Sequence, residues 1–189
     1  MFRDLILIFA LGAGLQAQSL PGDRPTPAYG SQTSSQPTPK LLSAAMPSST
    51  EDAAAESELL QLANQRRRDA GVPPLRGNEE LTQAARTHAR LMVARQELSH
   101  QFAGERSLMP RLRDSGLPIN SVGENVAYHS SVEKAFDALM KSPPHRQNLL
   151  DPDFNIAGMA AFWSGGRLYV VQDFAHVRPE VMPASRRQR

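Results

Sequence analysis

Ser142-Pro143-Pro144-His145-Arg146-Gln147-Asn148-Leu149-Leu150 decides how the second half of this chain is put together. Tandem prolines stop a preceding helix and restrict the backbone of whatever follows. A histidine set just behind such a stop is held in place, and Arg146 and Asn148 come directly after it. Two readings fit these residues. One is a helix-terminating turn with His145 and Arg146 solvated, because polar residues gather in turns. The other is a site in which a rigid backbone presents His145.

Upstream of this stretch, Ser131 can cap a helix whose apolar stripe is Val132, Ala135, Phe136, Leu139 and Met140. Downstream, Asp151-Pro152-Asp153 makes a turn. Two β-rich runs follow, Ile156 to Trp163 and Arg167 to Phe174, joined by Ser164-Gly165-Gly166. That pattern predicts a hairpin. Ala157, Gly158, Ala160 and Ala161 are small enough to let helices approach the sheet closely.

Two further helices are expected nearer the N-terminus. Thr50 is placed to cap the first, with Glu51 and Asp52 in the turn where the helix dipole favours anions. Leu59, Leu60, Leu62 and Ala63 form its stripe, Arg66-Arg67-Arg68 reads as a solvated last turn, and Gly71 is a C′ residue before Pro73-Pro74. Asn78 caps the second, which carries Leu81, Ala84, Ala85, His88, Leu91 and Met92 on one face and ends near Glu97. His88 on that apolar face is expected to be a hydrogen-bonded core residue outside any site. Residues 101–122 read as loop, with Leu108, Leu112 and Leu117 turned inward and Arg111 and Arg113 solvated. Gly123-Glu124-Asn125 is a weak signal, since most such triplets are surface turns. A buried Glu124 would need a cationic, metal or hydrogen-bonding partner.

The chain has 189 residues, room for one domain with a real core plus appended segments. Its net charge of +2 resides in the last residues, where Arg186, Arg187 and Arg189 outweigh Glu180. The remainder is neutral, which argues against a nucleic-acid partner. There is no cysteine, so a disulfide framework, a thiolate nucleophile and a cysteine zinc site are excluded. Met1 to Ser19 reads as a signal peptide: Arg3, then an apolar run from Leu5 to Leu15 too short for a stable membrane anchor, then Ala17-Gln18-Ser19. After its cleavage the protein would not be integral to a membrane and would be secreted or periplasmic. Residues 20–49 read as a disordered Pro/Ser-rich linker that cannot bury enough apolar surface to offset ordering entropy. The domain is expected over residues 50–178 and an exposed basic tail over 179–189.

Taken in order, Leu81 to Met92, Leu98-Ser99-His100, Gly123-Glu124-Asn125-Val126-Ala127, the Ser142–Leu150 stretch, Phe154 to Gly158 and Val171-Gln172-Asp173-Phe174-Ala175 resemble the CAP superfamily. That superfamily includes the cysteine-rich secretory and pathogenesis-related proteins, and the likeness is greatest to its bacterial SCP-type branch. It covers roughly residues 53 to 176. It implies an α+β fold, an α-β-α sandwich with a central antiparallel sheet and a cleft. It also implies that His100, Glu124 and His145 meet in that cleft, with Ser142 and Asn148 beside them. Many relatives carry two histidines and two glutamates there, and the histidines can hold zinc or another divalent metal. Here Ser142 stands in the place of the second glutamate, Leu139 in that of an aromatic residue and Pro144 in that of a glycine. The missing carboxylate weakens the case for a metal on His100 and His145.

Three functions follow from that cleft. The first is a non-enzymatic extracellular binding module for a lipid or cell-envelope component, since the family includes lipid binders. The second is a metal-dependent hydrolase, with His100 and His145 as ligands and Glu124 as ligand, as general base, or as an outer-shell group that orients a histidine ring through its second nitrogen. The third is a surface interaction protein whose cleft is vestigial. The motifs for a nucleophile elbow, a His-Glu-x-x-His zinc site and a phosphate loop are all missing from the sequence.

Overall fold

The computed structural model describes residues 49–178. The signal segment, nearly all of the linker and the basic tail read from the sequence lie outside the described residues. The described chain runs β1 (Thr50–Glu51), α1 (Ala53–Asp69), β2 (Arg76–Gly77), α2 (Glu79–Arg95), α3 (Leu108–Arg113), β3 (Ile119–His129), α4 (Val132–Lys141), α5 (Pro143–Leu150), β4 (Ile156–Ser164) and β5 (Arg167–Val177). The sheet order is β1-β4-β5-β3, antiparallel throughout, with β2 added in parallel to β4.

β4 and β5 are buried on both faces, so the two-residue alternation of a strand sorts their side chains into two cores. Ala157, Met159, Ala161, Leu168, Val170 and Phe174 pack with α1, α4 and α5. Ala160, Phe162, Tyr169 and Val171 pack with α2, and Ile156 and Ala175 with Leu81 and with Leu112 of α3. Helices therefore cover both faces of the sheet, the α-β-α arrangement expected. Gly158 is where α2 comes closest: a Cβ there would lie 2.2 Å from the Leu81 carbonyl carbon. The hairpin also forms as expected. Gly165 and Gly166 take φ of 57° and 75°, the consecutive left-handed residues that a tight two-residue turn needs.

Four expectations are corrected. Thr50 does not cap α1; it pairs with Trp163 in the sheet, and the cap is Asp52. The Asp52 carboxylate accepts from the Ala55 N–H at 2.9 Å and from the Trp163 indole at 3.0 Å. Those two bonds hold its pKa below the usual value. Arg67 is not solvated but wholly buried. Its guanidinium donates to the carbonyls of Pro73, Leu149, Asp151 and Phe154 at 2.7–3.0 Å, so it closes the base of α1 against the end of α5. Residues 101–122 are not all loop. They contain α3 and the start of β3, and Arg111 on α3 is buried. Gly123-Glu124-Asn125 is not a turn but the middle of β3, paired with Phe174, Asp173 and Gln172 of β5.

The Ser142–Leu150 stretch is itself a helix. Ser142 ends α4 and begins α5, and Pro143 and Pro144 occupy its first positions. There their fixed φ suits a helix and their missing N–H groups would have no partner in any case. Asn78 and Ser131 do cap α2 and α4, accepting from the N–H groups of Leu81 and Lys134.

Candidate functional site

Three segments bring the sequence-predicted residues together. α2 stops at Gln96, whose φ of 52° turns the chain back toward the sheet. His88, buried in α2, fixes the returning segment. Its Nε2 lies 2.8 Å from the Ser99 carbonyl, which can only accept, so Nε2 carries a proton. Its Nδ1 lies 2.7 Å from Glu105. His88 is thus the hydrogen-bonded core residue expected, and through Ser99 it sets where His100 stands.

Glu124 points from β3 to the α2 and α3 side of the sheet, the side of its cross-strand partner Asp173. It is buried, and both of its oxygens are taken. Oε1 lies 2.9 Å from His100 Nδ1, and Oε2 accepts from the Arg111 guanidinium. A second nitrogen of Arg111 donates to Glu105 at 3.0 Å. Burial alone would push the Glu105 carboxyl up. The Phe102 N–H, His88 and Arg111 outweigh it and hold the group below its usual range.

His145 comes from the other face, in the first turn of α5. Its ring centroid lies 6.3 Å from that of His100, tilted by 40°. Burial, and then the neighbouring charge of His100, push its pKa down, which favours a neutral ring. α5 is tied to β3 beneath it. Asn125 donates to the His145 carbonyl at 3.0 Å, and Asn148 donates to the Glu124 carbonyl and to the Asn125 side chain, each at 3.1 Å. Asn148 therefore fastens the wall of the cleft and has its amide turned to β3. Ser142 is half-buried and its hydroxyl makes no capping bond. Among the described residues no hydrogen bond joins it to either histidine.

A model of the cysteine-rich secretory protein family, CAP, matches residues 60–174. The chain belongs to the CAP family. The Bacillus subtilis protein YkwD is 30% identical over 111 residues, which is 58% of this chain and 43% of that protein, so the chain spans under half of that relative. An extracellular protein containing a SCP domain from Bacillus anthracis is 25% identical with a TM-score of 0.59, over 65% of this chain and 40% of the other. An outer surface protein of Borrelia burgdorferi aligns with a TM-score of 0.65 over 70% of this chain and all of its own, at 17% identity, a likeness of fold. Among the described residues no helix is long and apolar enough to cross a membrane.

The CAP domain's donor set does not make a three-ligand metal centre. Among the described residues no group of three or more histidine, aspartate and glutamate side chains is arranged to hold a metal ion. Glu124 is engaged on both oxygens, by His100 on one and by the Arg111 guanidinium on the other, and its contact with His100 Nδ1 is that of a group that orients the ring from behind. Ser142 supplies no carboxylate in compensation. Of the sequence-predicted residues, the His100 and His145 imidazoles remain to hold a divalent ion.

Three residues of this floor escaped the sequence reading. Arg111 sits beside Leu112, and the alternation of a buried leucine with a charge looked like any surface turn. Glu105 carried no pattern at all. Asp173 had a signal: it interrupts the apolar run Leu168 to Phe174, and a carboxyl inside a strand buried on both faces must meet a partner or stay neutral. It is wholly buried opposite Glu124, and among the described residues no N–H or O–H group donates to its oxygens. Burial first, and then the charge of Glu124, raise its pKa well above the usual carboxylate value, which favours a protonated form that can donate to the Glu124 carboxylate.

Proposed function

We propose that this CAP domain is a non-enzymatic extracellular binding module, secreted or periplasmic, whose cleft takes a polar group of a lipid or cell-envelope component. The observation that carries this reading is the division of labour in the cleft. Glu124 is consumed below the surface by His100 and Arg111, while the His100 side chain stays 57% exposed and His145 half-buried beside it. Two imidazoles at one mouth offer a donor and an acceptor to a hydroxyl, carbonyl or phosphate oxygen. Among the described residues no serine or threonine hydroxyl is hydrogen-bonded to either ring, and the carboxylate that a hydrolase would use as base is already paired.

The test is calorimetric titration of the protein with phospholipid vesicles and with solubilised cell-wall fragments. The expected result is saturable binding without turnover of either probe. The His100→Ala/His145→Ala variant should bind at least about tenfold more weakly while keeping its fold. Hydrolysis of an ester or peptide probe that disappears in His145→Ala would overturn the reading.

A further inference from the structure

The floor of the cleft holds a cation, and that cation is part of the chain. We infer that the Arg111 guanidinium fills a built-in cation site formed by Glu105 and Glu124, with Asp173 beside Glu124, and acts as the positioning residue that aims Glu124 at His100. Around the guanidinium lie Glu105 Oε1 at 3.0 Å, the His100 carbonyl at 3.5 Å and a Glu124 oxygen in direct contact. His88 Nδ1 is 3.2 Å away and is itself engaged with Glu105. The side chains of Arg111, Glu105, Glu124 and His88 are buried or nearly so, and an oxygen-rich set of this kind is what a hard cation takes.

A further carboxyl stands beside this pair. Asp173 is wholly buried opposite Glu124 on the same face of the sheet, and among the described residues no N–H or O–H group donates to it. A third carboxyl in that position is costly unless the site is arranged around positive charge. With Arg111 present, one guanidinium reaches both Glu105 and Glu124, with the Asp173 carboxyl beside Glu124. Without it, these buried carboxyls would have lost that counter-charge, and a divalent cation is one way to restore it.

Arg111 therefore supplies one of the two contacts that fix Glu124 beneath the mouth. Its planar fork reaches Glu105 and Glu124 at once, which fixes the Glu124 carboxylate in the orientation that leaves its other oxygen for His100 Nδ1. This inference does not depend on what the cleft binds.

The test is calorimetric titration of zinc alone into the full chain carrying His145→Ala, with and without Arg111→Gln. The His145→Ala background removes the imidazole pair at the mouth as a source of signal. Arg111→Gln should bind zinc at least about tenfold more tightly than the parent. Adding Glu124→Gln should abolish that gain, and Arg111→Lys, which keeps the charge, should not show it. An Arg111→Gln chain that is unfolded alone but folds when zinc is added would also support the inference. Equal zinc affinity with and without Arg111, a gain that survives Glu124→Gln, or an unfolded Arg111→Gln chain that zinc does not rescue would overturn it. A failure to bind lipid or wall fragments leaves this result unchanged, so the two readings fail separately.

Discussion

Two arginines are buried in this domain, and they do different things. Arg67, at the base of α1, meets only backbone carbonyls. Burial pulls its pKa down, and Asp151 only partly offsets this. Arg111, under the cleft, meets the carboxylates of Glu105 and Glu124. The first ties chain ends together through dipoles; the second neutralises charge. In the sequence one stands in an arginine triplet and the other beside Leu112, and neither setting announces burial. The difference teaches that the partners of a buried charge, more than its burial, decide whether it holds the fold or tunes a site.

The largest expected effect breaks the second arrangement. Arg111→Ala strands two buried carboxylates, and the loss should be roughly 3–5 kcal/mol by urea denaturation near neutral pH. That loss should shrink toward about pH 5, because stranded carboxylates can take up protons. Arg67→Ala strands carbonyls instead. It should cost somewhat less, about 2–4 kcal/mol, with no such relief in acid, because a carbonyl has no proton to gain. Parallel pH profiles for the two variants would erase the distinction.

Asp173→Asn sharpens the same region. The raised pKa means that the folded state keeps a proton which the unfolded chain gives up in the ordinary carboxylate range. Wild-type stability therefore falls as pH rises from that range toward the folded pKa. The amide variant does not titrate. Its stability relative to wild type should rise steadily from about pH 4 toward about pH 8, by about 1.4 kcal/mol for each pH unit between the unfolded and folded pKa, read as the separation of the two melting-temperature profiles. A constant separation would mean that Asp173 is ionised in the fold.

The smallest expected effect lies at the mouth. His145 has a lowered pKa, so the folded state resists its protonation. The fold should lose stability as pH falls through the ordinary histidine range and below, where the unfolded chain is protonated first. His145→Gln should remove a few tenths of a kcal/mol of that acid sensitivity, since the ring is only half-buried and solvent screens it. An unchanged acid limb in the melting profile would show that His145 is as easily charged as in water.

What the sequence made legible follows the physics of periodicity and caps. The stripes of α2 and α4, the caps Asn78 and Ser131, and the two-glycine hairpin are local signals, and each appears where it was read. The ordered strings carried the family and with it the sheet and its two helical layers. Ser142–Leu150 was harder, because proline at the start of a helix and proline after the end of one use the same residue. The Glu124 strand was hidden because Asn125 and Glu124 are polar on both faces. Each is buried, but each is satisfied by partners far away in sequence, Asn148 and Gln172 on one side, Arg111 and His100 on the other. Arg67 and Arg111 were misread for the same reason. Their partners come from segments that local pattern cannot join, so side-chain charge alone argued for solvent.

The most direct test of the central claim, that Glu124 is committed to Arg111, is a double-mutant cycle by urea denaturation near neutral pH. It compares Arg111→Gln, Glu124→Gln and the double variant with wild type. A coupling of about 2 kcal/mol or more, with the double variant more stable than either single one, is the predicted result. Additive losses, with coupling within about 0.5 kcal/mol, would contradict it. They would mean that the Glu124 carboxylate is free to serve a metal or a water.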